Sequence, residues 1–214
     1  MGRLLTSLFA ASDEQLMWRV KLDDDESAFA RLVARWEQPI QRLCVRMTGD
    51  AHRAEDLTQT AFTRVFTRRA EWEPTGKFST FLWRVALNLC HDELRRLQRR
   101  GEFSLDALED ADGAGSERFA VDDASPDAQA EAQERGELVR RALAELPAHY
   151  REVVVLRHYE GLKFREIGEV LGIPDGTVKT RLTRALDQLN RLLKHVNEDQ
   201  VCNRKTQTPE MQVL

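Results

Sequence analysis

The stretch FREIGEVLGIPDGTVKTRLTRALDQL, residues 164–189, decides the fold of the carboxy-terminal part of the chain. Apolar residues recur at helical spacing up to Leu171, and Gly172 followed by Pro174 predicts a helix end and a short turn. A second helix is predicted to start near Asp175 or Gly176. Two helices joined by such a turn form the helix-turn-helix pattern.

The second helix of this pattern has two chemically different faces. Val178, Leu182, Ala185 and Leu189 point in nearly the same direction at helical spacing and should face the core. The remaining faces carry short polar and basic side chains, which suit a DNA major groove because Arg reads guanine and Thr contacts bases or phosphates. For the period alone, an ordinary solvated amphipathic helix is the alternative. The predicted DNA-reading residues are Thr177, Lys179, Thr180, Arg181, Thr183 and Arg184.

Charge is distributed unevenly along the 214 residues. The formal charge of −4 for the whole chain divides into +3 for residues 1–100, −10 for 101–137 and +3 for 138–214. The acidic segment contains Pro126 and no sustained period, which predicts an extended or disordered linker, with a helix starting near Asp127 as an option. Cationic ends around an acidic middle suit two nucleic-acid-binding units, although charge runs are more often solvated surface.

The sequence predicts an all-α protein of two small helical domains joined by this flexible acidic linker. A composition of 42% hydrophobic and 32% charged residues with few Gly and Pro favours a soluble, mostly helical chain. Residues 23–100 should form a bundle of three or four helices with breaks near 48–50 and 73–76, and residues 138–196 the second unit. Residues 1–22 are predicted to be an amino-terminal extension and 197–214 a loose tail.

Other classes of function find little support in the sequence. Cys44, Cys90 and Cys202 are odd in number and widely spaced, which favours buried thiols in a reducing cytosol over disulfides or a metal site. The first residues are too weakly apolar for a signal core or a membrane span, so we expect a cytoplasmic protein without membrane insertion. No phosphate-binding loop, nucleophile elbow or zinc-protease motif occurs, which argues against an enzyme, and no cofactor or metal is expected.

Two further helices of the amino-terminal unit carry polar stripes. On the helix around AEDLTQTAFTRVF, residues 54–66, the side chains of Asp56, Gln59 and Thr63 share one side and form a candidate partner surface, with a solvated face as the alternative. The predicted helix from Ser79 to about Leu97 is apolar on two sides, with one polar and basic stripe between them. That stripe consists of Arg84, Asn88, His91 and Arg95.

Three segments in order resemble one known family. LPAHYREVVVLRHYEGLKFREIGEVLGIPDGTVKTRL, residues 146–182, is similar to the fourth conserved region of bacterial sigma factors. AEDLTQTAFTRVF and GKFSTFLWRVALNLCHDELRR, residues 54–66 and 76–96, resemble the second conserved region. With only a linker between these regions, the chain resembles the extracytoplasmic-function group rather than the larger housekeeping factors.

The resemblance implies promoter-specific initiation by RNA polymerase, for a stress or envelope-response regulon. It implies that Asp56, Gln59 and Thr63 dock the clamp of the largest polymerase subunit, that region 2 opens the −10 element, and that region 4 reads the −35 element and meets the flap of the second-largest subunit. Thr60 stands where the family usually has an acid, which weakens a detailed map of the clamp contact. The expected partners are core RNA polymerase and promoter DNA, and the resemblance leaves an anti-sigma factor open. The candidate −10 residues are Lys77, Trp83, Arg84, Asn88, His91 and Arg95.

Two alternatives stay open on the residues alone. Trp83 can stack on an unpaired base or pack in the core with Leu87 and Leu94. A helix-turn-helix regulator that binds duplex DNA alone as a homodimer is the main rival function. Such a regulator needs a dimer surface and a sensor domain, and the resemblance of the amino-terminal unit speaks against it.

Overall fold

The computed structural model of the protein describes residues 11–74, 76–100 and 126–206, with side chains described only between 135 and 194 in the last range. Within these ranges there are eight α-helices and no β-strand, which confirms the predicted all-α class. The helices are α1 (Asp13–Asp23), α2 (Glu26–Thr48), α3 (Ala51–Thr67), α4 (Phe78–Arg100), α5 (Pro126–Glu145), α6 (Ala148–Val154), α7 (Phe164–Leu171) and α8 (Asp175–Thr206).

Local capping signals set the boundaries of the first three helices. Ser12 and Gln15 form a reciprocal capping box at the start of α1. Asp25 and Asp50 accept backbone N–H groups at the starts of α2 and α3, over 2.9 Å in each case. Gly49 ends α2 in the left-handed conformation, with φ of 77°, at the predicted break.

Helices α1 to α4 form the amino-terminal bundle. Leu16, Met17 and Val20 of α1 are fully buried in its core. Residues 13–23 therefore belong to the bundle, which corrects the predicted extension of residues 1–22, while residues 1–10 lie outside the described part. The sequence argument missed helix α1 because this helix is short and charged, so its apolar period is weak.

The linker and the tail agree with the prediction only in part. Helix α5 starts at Pro126, next to the candidate start at Asp127, and residues 101–125 lie outside the described part of the chain. Helix α8 continues to Thr206, so the predicted tail of residues 197–214 begins as helix. Residues 207–214 are also outside the described ranges.

The carboxy-terminal half contains the predicted helix-turn-helix. Helix α6 passes into one π-helical turn at Val155–Tyr159. Helix α7 then ends at Leu171 and α8 starts at Asp175, as the sequence predicts. Gly172 caps α7 with φ of 67°, a conformation that glycine adopts at little cost. The apolar residues of both halves join in one continuous core, in which α4 packs on α7 and α2 packs on α5 and α6.

Gly168 sets the distance between the two helices of the helix-turn-helix. A Cβ at this position would lie 2.8 Å from the backbone oxygen of Ile173 and 3.0 Å from Asp175 Oδ1. The backbone N–H of Ile173 donates to the Gly168 oxygen over 3.0 Å, so the turn is held against α7 at this point. Only a residue without a Cβ allows this approach.

Gly168→Ala should therefore lower the free energy of unfolding by about 1–3 kcal/mol, because the turn must move away from α7. Gly176→Ala is the matched control, since a Cβ there meets nothing within 4 Å in the first turn of α8. The control should be neutral or stabilising by about 0.4–1 kcal/mol. Urea unfolding measures both, and equal stabilities for the two variants would contradict the close approach.

Candidate nucleic-acid and polymerase interfaces

Helix α8 presents the two faces that the sequence predicts. Val178 and Ala185 are fully buried and Leu182 is 9% exposed. The opposite and flanking positions reach solvent, with Thr177, Lys179, Thr180, Thr183 and Arg184 all exposed.

The hydroxyls on this face are engaged with the helix itself. Thr180 Oγ1 donates to the Gly176 oxygen over 2.9 Å, and Thr183 Oγ1 donates to the Lys179 oxygen over 3.1 Å. A hydroxyl used in this way keeps lone pairs that accept from a base or from water. Lys179 Nζ lies 5.7 Å from the centre of the Phe164 ring, beside the start of α7.

Arg181 differs from its neighbours on α8. Its side chain is 29% exposed, and Nη1 donates to Glu152 Oε1 of α6 over 3.1 Å. It is therefore held inside the carboxy-terminal half rather than directed fully at solvent.

The predicted polar stripe of α3 is a continuous exposed surface. Asp56, Gln59 and Thr63 line a shallow depression, and Thr60 and Arg64 complete its wall. Thr63 Oγ1 donates to the backbone oxygen of Gln59 over 2.9 Å. The sequence argument missed Arg64 because its direction on the helix lies at the edge of the stripe.

The α4 stripe is divided in the structure. Asn88 and Arg95 are exposed, and Arg95 donates to Asp92 Oδ1 over 3.1 Å within the helix. Trp83 is only 4% exposed and packs edge-on against Trp36, with ring centres 5.7 Å apart. The structure thus places Trp83 in the core, which was the alternative to base stacking. This result removes Trp83 from the −10 candidates.

The other candidates on and before α4 contact the carboxy-terminal half. Lys77 Nζ lies 2.6 Å from Glu166 Oε1 of α7. The Arg84 guanidinium donates to two backbone oxygens at the end of α7, to Val170 over 3.2 Å and also to Glu169. His91 Nε2 lies 2.7 Å from Glu152 Oε2.

The contact between Lys77 and Glu166 shifts the pKa of both groups in the directions that favour their charged forms. The hydrogen bond to Glu166 raises the pKa of Lys77 above its usual value. The same hydrogen bond lowers the pKa of Glu166, helped by the backbone N–H of Lys163. The Lys77 side chain is 60% exposed and that of Glu166 is 30% exposed, so water screens the attraction.

Two buried charged residues of α6 were not predicted from the sequence. Arg151 is 2% exposed and Glu152 is 5% exposed. Arg151 donates to the Leu146 oxygen over 3.0 Å, and also to backbone oxygens of Ala144 and of Met47 in α2. Burial lowers the pKa of Arg151 to about 10, which leaves the guanidinium charged at neutral pH. The only sequence signal was two charges beside the apolar run VVVL, which has no diagnostic value without the contacts.

The two described cysteines form a pair of thiols in the core. Cys44 and Cys90 are buried with their sulfurs 3.7 Å apart, and their hydrogen bond together with burial raises the pKa of the Cys90 thiol. They are buried thiols, as expected, while the side chain of Cys202 lies outside the described part.

Among the described residues no group of three His, Cys, Asp or Glu side chains is arranged to hold a metal ion. None of the described helices has the length and apolarity that crossing a bilayer requires.

Comparison with known families matches both halves of the chain. The Sigma-70 region 2 model matches residues 32–100, and the Sigma-70 region 4 model matches residues 136–189. The ECF RNA polymerase sigma factor SigW of Bacillus subtilis is 36% identical over 176 residues, which cover 79% of this chain and 91% of SigW. The chain belongs to the extracytoplasmic-function sigma factors.

A further relative agrees with this assignment, and a solved structure is similar in fold. The RNA polymerase sigma-H factor of Pseudomonas aeruginosa is 31% identical over 182 residues, covering 85% of this chain and 94% of the relative. A structure of CnrH in complex with the cytosolic domain of CnrY is similar in fold, with a TM-score of 0.64 and 22% identity over 86% of this chain and 99% of CnrH. This sigma factor accordingly directs promoter-specific initiation of transcription by RNA polymerase.

Proposed function

We propose that this sigma factor divides its task among three surfaces. The α3 depression docks on the clamp of core polymerase, the α4 stripe captures the opened −10 element, and the exposed face of α8 reads the −35 element. Supporting observations are the exposure of Asp56, Gln59 and Thr63 on α3 and of Asn88 and Arg95 on α4. The α8 face carries the greatest weight, because its polar residues are exposed while Val178 and Ala185 on the other side are buried.

The α8 face fits major-groove recognition on physical grounds. A helix anchored by its apolar side presents Arg184 and the threonines as one rigid surface, so little entropy is lost on contact with bases. Lys179 sits at the flank beside α7, where a phosphate of the groove edge would pass. We assign base reading to the centre of this face and positioning to its flanks.

The α4 stripe fits capture of single strands better than duplex reading. Asn88 supplies donors and acceptors for an exposed base edge, and Arg95 supplies charge for the backbone. Opening a base pair costs a few kcal/mol per base, which such contacts have to offset. Because Trp83 is buried, it does not supply a stacking surface for an opened base. The loop that contains Lys77 lies next to the stripe and is the neighbouring segment that could contact such a base.

The proposed setting follows from this role. The partners are core polymerase, through the clamp of its largest and the flap of its second-largest subunit, and promoter DNA. An anti-sigma factor is a further proposed partner, because the similar structures of CnrH and of RpoE from Bartonella quintana were solved with CnrY and with the anti-sigma factor NepR. We place the protein in the cytoplasm with its polymerase, without catalysis of its own, acting on a stress or envelope-response regulon.

The α3 depression predicts a core-binding defect for Asp56→Ala combined with Gln59→Ala. The double variant should bind core polymerase at least tenfold more weakly, which corresponds to about 1.4 kcal/mol. Stability should change by no more than about 0.5 kcal/mol, because both residues are exposed. Glu37→Ala with Gln38→Ala on α2 is the control, since it removes the same two chemistries from exposed positions outside the depression. Fluorescence titration measures the affinities, and full affinity of the α3 variant would place the docking surface elsewhere.

The α4 stripe predicts a melting defect for Asn88→Ala combined with Arg95→Ala. Open-complex formation should fall more on a duplex promoter than on a template already mismatched across the −10 region, because the second template needs no opening. Gln38→Ala with Arg100→Ala removes one amide and one arginine from exposed positions off the stripe and should leave both templates unaffected. Permanganate footprinting measures opening. An equal loss on both templates would mean that the stripe contributes only a general attraction to the DNA backbone.

The α8 face predicts different defects for Arg184→Ala and Lys179→Ala. Loss of a bidentate contact from Arg184 to guanine should cost about 1–3 kcal/mol on the preferred −35 element and relax selectivity at one base pair. Loss of Lys179 should weaken all sequences alike and lower the salt slope by about one unit, as expected for a phosphate contact. A −35 substitution scan with each variant holoenzyme at fixed salt separates the two. A selectivity change in the Lys179 variant with none in the Arg184 variant would mean that the helix enters the groove at another rotation.

A further inference from the structure

Arg181 lies at the border between the buried face and the exposed face of α8. At about 100° per residue it is about 40° from Ala185, which is fully buried, and about 60° from Arg184, which is exposed. Its own side chain is 29% exposed. A side chain at this border is well placed to resist rotation of α8 about its own axis.

The partner of Arg181 is a buried carboxylate on α6. Arg181 Nη1 donates to Glu152 Oε1 over 3.1 Å, and the Glu152 side chain is only 6% exposed. A carboxylate removed from water needs donors close by, so it holds the guanidinium at a defined place. Apolar contacts such as those of Val178 and Leu182 have no directional preference, whereas a charge-assisted hydrogen bond has one. The pair therefore adds an orientational constraint that the apolar packing of α8 does not supply.

Helix α6 is a firm support for this contact. Val153 and Val154, which follow Glu152, are buried in the core, and α6 packs directly on α8. Arg151, which precedes Glu152, is buried as well and donates to the backbone oxygen of Leu146 over 3.0 Å. The carboxylate that holds Arg181 is thus itself fixed in position.

A small rotation of α8 would displace its exposed side chains by more than a hydrogen bond tolerates. With a helix radius of about 5–6 Å including side chains, a rotation of about 20° moves the outer surface by about 2 Å. Donor–acceptor distances in N–H···O hydrogen bonds vary only between about 2.7 and 3.2 Å. The rotation of α8 therefore decides whether Arg184 can form a bidentate contact to a guanine.

We propose that Arg181 is a positioning residue for −35 reading rather than a DNA contact, and that Glu152 is the anchor that holds it. The proposal rests on the proposed function of the exposed α8 face. The pair sets the rotation of α8 and thereby directs Thr180, Thr183 and Arg184 into the groove together. Loss of either partner lowers the selectivity among −35 sequences more than the general affinity for DNA.

A direct contact of Arg181 with a DNA phosphate is the competing account. A guanidinium has five N–H donors, and the exposed part of this side chain leaves room for such a contact. A phosphate contact would strengthen binding to all sequences alike and raise the salt slope by about one unit. It would not require Glu152. The two accounts therefore differ in selectivity, in salt dependence and in the coupling of Arg181 to Glu152.

The test is a double-mutant cycle of Glu152→Met and Arg181→Met, measured in the holoenzyme. The double variant replaces a buried ion pair by apolar side chains, which folded proteins often tolerate. The matched control cycle is Glu137→Met and Arg140→Met, with the same changes in charge. This control pair lies on α5 of the same half, and its side chains are 26% and 32% exposed.

Competition binding to promoter fragments gives the −35 selectivity, as the ratio of the affinities for the preferred element and for substituted elements. Glu152→Met and Arg181→Met should each lower this ratio roughly tenfold, as expected when one bidentate base contact is lost. The double variant should be no worse than either single variant, and the control variants should keep the wild-type ratio. Poor folding alone lowers binding to every element alike and leaves the ratio unchanged.

Salt dependence separates positioning from a phosphate contact. The salt slope of Arg181→Met should equal that of Arg140→Met. A slope lower by about one unit, with the same loss of affinity whether or not Glu152 is present, would show a phosphate contact and overturn the proposal. A wild-type selectivity ratio in both single variants would overturn it as well.

Two further arms keep the outcome unambiguous. If the methionine variants do not fold, Glu152→Asp withdraws the carboxylate from Arg181 by one methylene at unchanged net charge. The selectivity ratio should then fall roughly threefold, a part of the loss expected for a whole bidentate contact, while Glu137→Asp should keep it. A wild-type ratio for Glu152→Asp would contradict the positioning role.

Arg184→Ala tests the proposed function separately. If this variant lowers the selectivity ratio while the Glu152 and Arg181 variants do not, the exposed α8 face reads the −35 element and the positioning role is refuted. If none of these variants changes the ratio, the assignment of the α8 face is refuted together with the positioning role.

Discussion

Arg151 and Glu152 are consecutive charged side chains of α6, and both are buried where the two halves of the molecule meet. A charge removed from water needs partners close by, so each side chain constrains the elements around it. Successive positions on a helix diverge by about 100°, and α6 accordingly directs its cation toward the end of α2 and its anion toward α4 and α8. The position of α6 thereby fixes the distance between the two helices that are proposed to contact DNA.

The sequence predicted those features that depend on local chemistry. Gly172 and Pro174 mark the end of α7 and the start of α8 because a left-handed cap and a fixed φ are properties of single residues. The two faces of α8 followed from its period, and the exposed stripe of α3 followed in the same way. These features need no knowledge of what packs against the helix, so periodicity was sufficient.

What the sequence could not predict depends on contacts between distant residues. Trp83 has the same place in the α4 pattern whether it stacks on a base or on Trp36, and only the packing of α2 against α4 decides between them. His91 and Arg84 belong to one stripe with Asn88 and Arg95 in the sequence pattern, yet His91 contacts α6 and Arg84 contacts α7. Asn88 and Arg95 are exposed, and Arg95 pairs within its own helix. Helix α1 was missed because its apolar period is weak, and its three buried residues gain their apolar surroundings only from the bundle.

A cation that is arranged to bind phosphate is also arranged to bind a carboxylate, because both ligands offer oxygen acceptors with negative charge. Lys77 accordingly meets Glu166, a carboxylate of the other half, in this structure. The two ligands differ in how they present their charge. The carboxy-terminal half supplies a few fixed carboxylates, two of which are costly to keep dry, whereas DNA supplies a continuous row of phosphates and releases counterions when it is bound. A row of phosphates therefore competes strongly with separate carboxylates for the same cations, most of all where polymerase holds the strand at high local concentration.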